Sequence, residues 1–301
     1  MNLEDKFTGT LVGVAVGDAL GGPLETISTS CREIPQNVTE MIGGGWLKLK
    51  PGQITDDTEM TLCIARSITE KKKFDAEDIA RKFVEWFYDS QIGAGRTTKT
   101  AIERLKEGVS WDDAGYNEVG LLSRGNGSVM RCSPVALLDY KDSKRLFKDS
   151  YQQSIITHPH PHCTFSAIFY NTIIANILSG NGKEKSYIDA LKTIEHEPTL
   201  LKRYANIPNA KPNKPTGEVK NTIEAAVHCF LTTDSFEESI VKAVNLGGDA
   251  DTTGAVTGAL AGAHYGEKSI PSRWKEKLVD RHGNKVCNEL MRLGKELYKL
   301  A

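Results

Sequence analysis

The sequence predicts an all-α protein. Several segments repeat apolar residues at three- to four-residue spacing, cap-forming residues stand ahead of such segments, and no run alternates apolar and polar residues between turn signals. Taken in order, Phe7, Leu11, Val14 and Ala15 fall on one helical face, and Met60, Ile64 and Ile68 share another. Asp75 and Asp78 resemble a cap ahead of a helix that buries Ile79, Phe83, Trp86 and Phe87. The stretch from Ala167 to Leu178 is nearly all apolar, which predicts a central helix. Ser235 and Glu238 have capping-box spacing, with Ile240, Val241 and Val244 following as the apolar face.

Two of these helices carry an unusual stripe. Gly9, Gly13 and Gly17 recur every four residues, as do Gly254, Gly258 and Gly262. Each glycine inside a helix costs about 1 kcal/mol relative to alanine. Three on one stripe therefore call for an offset, and close approach of a neighbouring backbone supplies it. The first helix and the one over Thr252–Tyr265 are thus expected to be central, each pressed on a neighbour and conceivably on each other. Length alone allows about two domains at roughly 150 residues each. Joining the two ends through glycine helices instead predicts a single domain over 1–301. Long polar, glycine- or proline-rich loops are expected at 21–55, 108–128 and 205–220; loops of this length are usually functional or disordered.

The 301 residues include 38 basic and 39 acidic side chains, for a formal net charge of -1. That balance makes no electrostatic case for nucleic acid or an anionic membrane as partner. No stretch reaches the roughly 18 consecutive apolar residues of a membrane span. The opening MNLEDKF carries an acidic pair and no apolar run, which predicts no signal peptide. Six cysteines, at 31, 63, 132, 163, 229 and 287, form no Cys-x-x-Cys pair. A reducing, cytoplasmic setting is the expectation.

Four segments could carry chemistry. Thr55-Asp56-Asp57-Thr58-Glu59 precedes a helical pattern. Asp56 with Glu59 has capping-box spacing, so a plain helix cap is one reading. Gly247-Gly248-Asp249-Ala250-Asp251-Thr252-Thr253 repeats the combination of carboxylates and threonines at a helix start. Bringing Asp56, Asp57, Asp249 and Asp251 together without cations would be costly, since like charges at 4 Å repel by about 1 kcal/mol even in water. Oxygen-only donors suit Mg²⁺ or Mn²⁺ rather than zinc, and two such ions could activate a water. The third segment, Gly125-Asn126-Gly127-Ser128-Val129-Met130-Arg131, could aim backbone N–H groups at phosphate, though it is no Walker loop. In the fourth, Thr157-His158-Pro159-His160-Pro161-His162, alternating prolines are expected to project three imidazoles from a loop. One of them is a candidate substrate contact; a zinc site is the weaker reading.

Taken in order, Gly17-Asp18-Ala19-Leu20-Gly21, Glu25, Thr55-Asp56-Asp57-Thr58-Glu59-Met60, the 125–131 loop, Thr157-His158 and Gly248-Asp249-Ala250-Asp251-Thr252-Thr253-Gly254 resemble the motifs of the ADP-ribosylglycohydrolases. The stretch GGGWLKLKPGQITDDTEM (43–60) is especially similar to the bacterial branch typified by dinitrogenase reductase-activating glycohydrolase. The resemblance runs from about residue 7 to about residue 275. It implies a compact all-α domain with two Mg²⁺ or Mn²⁺ ions at the bottom of an ADP-ribose cleft. Thr55, Asp56, Asp57, Asp249, Asp251 and Thr252 would be the metal ligands, with Asp251 bridging. Glu25, Asp56 and Asp251 would be catalytic, while Gly125, Asn126, Gly127, Ser128 and His158 would hold the diphosphate and ribose.

The implied reaction removes ADP-ribose from a modified protein side chain, by default arginine, and frees ADP-ribose; a monomer is the expected form. Two positions depart from the family pattern. Gly93 stands where nitrogenase-linked relatives carry an aspartate that meets the guanidinium, with Asp89 as a possible substitute. Gly217-Glu218 stands where many members place an aromatic residue over the adenine. These leave open another conjugate (serine-linked, O-acetyl-ADP-ribose or nucleobase-linked) or an ADP-ribose-binding protein without turnover.

Overall fold

The structure, a computed structural model, describes residues 2–25, 37–89, 93–212 and 214–301. Cys31, Pro35, Gln91, Ile92 and Asn213, all part of the sequence argument, lie outside them. The helices are α1 (Leu3–Gly21), α2 (Asp56–Lys71), α3 (Ala76–Asp89), α4 (Arg96–Lys106) and α5 (Glu118–Leu122). They continue as α6 (Ser133–Asp139), α7 (Ser143–Ile155), α8 (Pro161–Leu178), α9 (Lys183–Leu191) and α10 (Pro198–Tyr204). The last five are α11 (Val219–Leu231), α12 (Phe236–Val244), α13 (Ala250–Tyr265), α14 (Ser272–Lys275) and α15 (Cys287–Leu300). Among the described residues there is no strand, only isolated bridges such as Gly44 with Leu49 and Gly125 with Glu218. The fold is all-α, as the periodicity predicts.

The two glycine stripes meet each other. A Cβ placed on Gly17 would lie 1.9 Å from the Gly254 carbonyl oxygen, one on Gly13 2.1 Å from that of Gly258, and one on Gly9 2.5 Å from that of Gly262. The series runs in opposite directions along the two helices, so α1 and α13 are antiparallel, and Gly21 over Ala250 extends it by a turn. Side chains surround this pair on every other side: all residues from Phe7 to Gly21 and from Ala250 to Ala263 are buried. A helix apolar on all sides belongs in a core. Averaged hydropathy picks out Leu3–Leu24 as long and apolar enough to cross a membrane, although charges interrupt it, and 94% of its most apolar 18-residue window is buried inside the protein. The largely apolar α8 packs alongside, its Tyr170 hydroxyl donating to the Val256 carbonyl at 3.0 Å.

Local signals hold where they are short-range. Asp78 N–H donates to Asp75 Oδ1 at 3.1 Å at the start of α3, and Glu238 N–H to Ser235 Oγ at 3.1 Å at the start of α12. Two expectations need correction. The 108–128 stretch is not all loop, since α5 interrupts it. The His-Pro repeat is not a projecting loop either: Pro161 is the first residue of α8 and His160 its N-cap, so His162 sits in a helical turn. Proline is well suited to that first position, where its missing N–H is not needed.

Candidate active site

The site begins with a carboxylate that sequence spacing did not single out. Asp18, in the last turns of α1, is fully buried and reaches the start of α2. Its oxygens accept from Thr55 N–H (2.9 Å), Thr55 Oγ1 (2.8 Å), Thr58 N–H (3.2 Å) and Thr58 Oγ1 (2.5 Å). The cap of α2 therefore comes from another helix, and the capping-box reading of Asp56 with Glu59 is replaced. Glu59 instead accepts from Trp86 Nε1 at 2.6 Å. With the helix end satisfied from behind, Asp56 and Asp57 are free to face the cleft. Burial raises the Asp18 carboxyl to about 6, against the lowering effect of these four hydrogen bonds. Asp18→Asn keeps the shape but turns an amide donor toward groups that are themselves donors. It is expected to lower stability by about 1–3 kcal/mol in urea unfolding and to depress activity with it.

The second half of the site stands at the start of α13. Asp249 is the N-cap residue, and its Oδ2 accepts from Asn126 Nδ2 at 2.5 Å. Asp251 Oδ1 accepts from the N–H of Thr252 at 2.9 Å, and Thr252 Oγ1 lies 3.5 Å from Asp57 Oδ2, which joins the two helix starts. Glu25 follows α1 and a 3₁₀ turn; its Oε2 accepts from Trp46 Nε1 at 2.6 Å. One oxygen from each of Glu25, Asp249 and Asp251 falls within 4.8 Å of the others.

This cluster fits hard divalent cations. Burial first, then the charges of Asp18 and Glu25, holds Asp56 well above the usual carboxylate range. Burial and then Asp18 and Asp56 do the same to Asp57; burial and then Glu25 and Asp249 do so to Asp251. Glu25 rises to about 7, by burial and then Asp249. Carboxyls gathered this way must either take protons or share cations. Asp57 Oδ1 is buried with no hydrogen-bond partner, as a waiting ligand oxygen would be. The donors are all oxygen, which suits Mg²⁺ or Mn²⁺.

Above the acids opens a cleft of about 580 Å³. Its floor holds Glu25, Asp56, Asp57, Asp249, Asp251 and Thr252; Gly125, Asn126, Gly127 and His158 form one wall, and Lys214–Gly217 and Gly248 another. The wall glycines are needed for closeness: a Cβ on Gly127 would come within 2.6 Å of the His158 ring. Asn126 links wall to floor, donating to both Asp249 and Thr222 Oγ1 (2.9 Å).

Of the residues expected from sequence, Thr55 is behind the floor and held by Asp18, and the Ser128 side chain is buried outside the cleft lining. Of the three imidazoles only His158 lines the cleft. His160 and His162 stack edge to face at 4.8 Å, and among the described residues no metal-ligating cluster includes them. Gly93 lies against the floor at φ +92°, where a Cβ would stand 2.2 Å from Asp56 Oδ1. A side chain there would strain the backbone and push the Asp56 carboxylate aside. Asp89 is no substitute, being paired with Arg281 at 2.9 Å beside a different cavity. Glu218 does not add free charge near a ligand, because Lys220 pairs with it at 3.1 Å. Asp18, Trp46 and the 214–217 wall escaped sequence reasoning. Only Asp18, inside the Gly17–Gly21 motif, left a signal: the one charge in the apolar run from Phe7 to Gly21.

A model of the family described as ADP-ribosylglycohydrolase matches residues 1–301. The chain is 35% identical to the ADP-ribosyl-[dinitrogen reductase] glycohydrolase of Rhodospirillum rubrum, over 97% of each chain. It is 34% identical to the ADP-ribosylarginine hydrolase Tri1 of Serratia proteamaculans, covering 92% of this chain and 76% of that protein. The ADP-ribosylhydrolase ARH3 of Gallus gallus is 24% identical, over 96% and 93%. Among solved structures, one described as an ADP-ribosylglycohydrolase-related protein complex superposes with a TM-score of 0.84 at 32% identity, over 99% and 98%.

Proposed function

Because this chain belongs to the ADP-ribosylglycohydrolase family and is a hydrolase of ADP-ribose conjugates, we propose that it removes ADP-ribose from a modified protein side chain, by default arginine, in a metal-dependent reaction. The observation that carries this is the acidic floor under a cleft of about 580 Å³: Glu25, Asp56, Asp57, Asp249 and Asp251 all line it, and burial with mutual repulsion raises the carboxyls of Glu25, Asp56, Asp57 and Asp251, a cost that cations would relieve. In this reading Thr55, Asp56, Asp57, Asp249, Asp251 and Thr252 would hold two Mg²⁺ or Mn²⁺ ions, Thr55 through the hydroxyl oxygen whose proton goes to Asp18. Such ions supply charge that orients ribose hydroxyls and makes a water more acidic.

The chain's own groups do the rest. Gly125, Asn126, Gly127 and His158 seat the diphosphate and ribose, with Ser128 serving through its backbone. Trp46 holds Glu25 by Oε2, which leaves Oε1 to take the proton of the water that adds to ribose C1″. The bond from C1″ to the side-chain nitrogen breaks, and that nitrogen leaves with a proton as an unmodified guanidinium. The proposal extends to the whole chain as one ADP-ribosylglycohydrolase-like domain acting as a monomer. It also includes a cytoplasmic location, which suits the free state of the five described cysteines.

A second reading, hydrolysis of a serine-linked or other ADP-ribose conjugate, is favoured by Gly93, which offers no acid to the guanidinium beside the floor. Two labelled peptides separate them, one ADP-ribosylated on arginine and one on serine, each incubated with Mn²⁺ or Mg²⁺ and with EDTA. EDTA-sensitive release from the arginine peptide is expected. Release from serine alone moves the assignment to the second reading. Tight ADP-ribose binding with no release from either peptide would overturn both in favour of a binding protein.

A further inference from the structure

Behind the glycine wall of the cleft lies a fully buried cation whose hydrogen-bond partners are all neutral. The Arg131 guanidinium stacks on the Phe83 ring, 4.4 Å from its centroid. Nε donates to Gln153 Oε1 at 3.4 Å, and Nη2 to the Gln153 carbonyl at 3.1 Å and to Thr157 Oγ1 at 2.8 Å. Among the described residues it has no carboxylate partner within ion-pair distance, an arrangement that is expensive to keep for stability alone. Its partners, however, reach the cleft. Gln153 Nε2 donates to the Ser128 carbonyl at 3.1 Å, bracing the 125–128 loop. Thr157 Oγ1 lies 2.7 Å from His158 Nδ1.

That last contact fixes a proton. Arginine can only donate, so Thr157 Oγ1 accepts from Arg131 and still has one proton of its own to place. Thr157 is fully buried, and the remaining partner of its hydroxyl is His158 Nδ1. If Nδ1 carried a proton instead, the threonine hydroxyl would be left buried without an acceptor. Nδ1 is therefore the acceptor, and the proton of the neutral ring belongs on Nε2. Nε2 points at the wall glycines, 3.1 Å from a Cβ placed on Gly127 and 3.2 Å from one on Gly125, and among the described residues nothing bonds it.

We infer that Arg131 and Thr157 are positioning residues that lock His158 in the Nε2–H tautomer, so that the ring presents a fixed hydrogen-bond donor to an acceptor oxygen of the ligand, phosphoryl or ribose. The identity of that ligand rests on the ADP-ribose reading; the tautomer does not. Burial, followed by the Arg131 charge, pushes the ring down to about 3, so it stays neutral at working pH. His158 then cannot serve as a general base: its one lone pair is occupied by Thr157.

The test uses full-length, Mg²⁺-loaded protein labelled with ¹⁵N-histidine, with His158 identified by its disappearance in His158→Asn. Long-range ¹H–¹⁵N spectra are expected to show Nδ1 unprotonated and Nε2 protonated. Thr157→Val is expected to mix the tautomers and to weaken ADP-ribose binding by about tenfold in calorimetry, with Thr157→Ser restoring both. A wild-type ring protonated on Nδ1 overturns the inference without need of any variant. So does Thr157→Val with tautomer and affinity unchanged. A wild-type Nε2–H ring in a protein that does not bind ADP-ribose would uphold the lock and overturn the ADP-ribose reading.

Discussion

Asp251→Asn is expected to reduce turnover by about a thousandfold or more while leaving the metal-free protein as stable as the parent, or more so. The sign comes from the surroundings. Asp251 is buried and faces Glu25, Asp249 and Asp57, all of the same charge. A neutral amide of the same shape removes that repulsion and keeps the oxygen that Thr252 N–H bonds. In EDTA the variant should therefore melt at or above the parent's temperature. In excess Mn²⁺ the order should reverse: the parent gains about 2.7 kcal/mol at a hundredfold excess over Kd, and the variant gains little. Asp56→Ala should behave in the same way. Activity retained in both variants, or equal metal-induced stabilisation, would sink the two-ion assignment.

Gly17→Ala and Gly258→Ala are the substitutions expected to harm the fold most for one added methyl group. Alanine propensity alone favours each by about 1 kcal/mol. Against this, the new Cβ would stand 1.9 Å from the backbone oxygen of Gly254 or of Gly13 respectively. A backbone cannot rotate away as a side chain can, so the helices must part. The expected loss is about 3 kcal/mol or more, a large share of the 5–15 kcal/mol typical of folded proteins. Thermal melting reads a loss of about 3 kcal/mol as a fall of roughly 5 °C at this chain size. Because α1 carries Asp18 and α13 carries Asp251, parting them also spreads the site, and activity should fall more than folded fraction alone explains. An unchanged melting temperature would mean that the two helices are not in contact.

The helices that sequence reading finds are those with a short-range signature: the glycine stripes, the Asp75 cap, the Ser235 box. The acids of the floor are legible too, since Asp56, Asp57, Asp249 and Asp251 come in two tight clusters. What escapes is what depends on distant partners. The cap of α2 comes from Asp18, 37 residues before Thr55, so the local spacing of Asp56 and Glu59 points to the wrong residue. Trp46 reaches Glu25 across a 21-residue gap, and no spacing rule joins an indole to a carboxylate. Gly93 reads as a missing acid in sequence, while in space it adopts a positive φ beside Asp56, a conformation that favours glycine. Pro161 reads as a loop-former when it is the opening residue of α8, because proline suits both places.

The antiparallel pairing of α1 with α13 also sets a clock. These helices are separated by about 230 residues of chain, and ribosomes add roughly 5–20 residues per second. The first helix made is thus without its partner for some ten to fifty seconds, on the same rates. Throughout that time it is a newborn segment apolar enough to be taken for a membrane anchor, with its glycine groove open. Nothing synthesised before α13 can fill that groove as closely, because only another glycine-lined backbone can approach it. The last sixth of the chain, which begins with α13, therefore decides the fate of the first twenty residues, and a chain cut short of residue 250 lacks the partner of its own first helix.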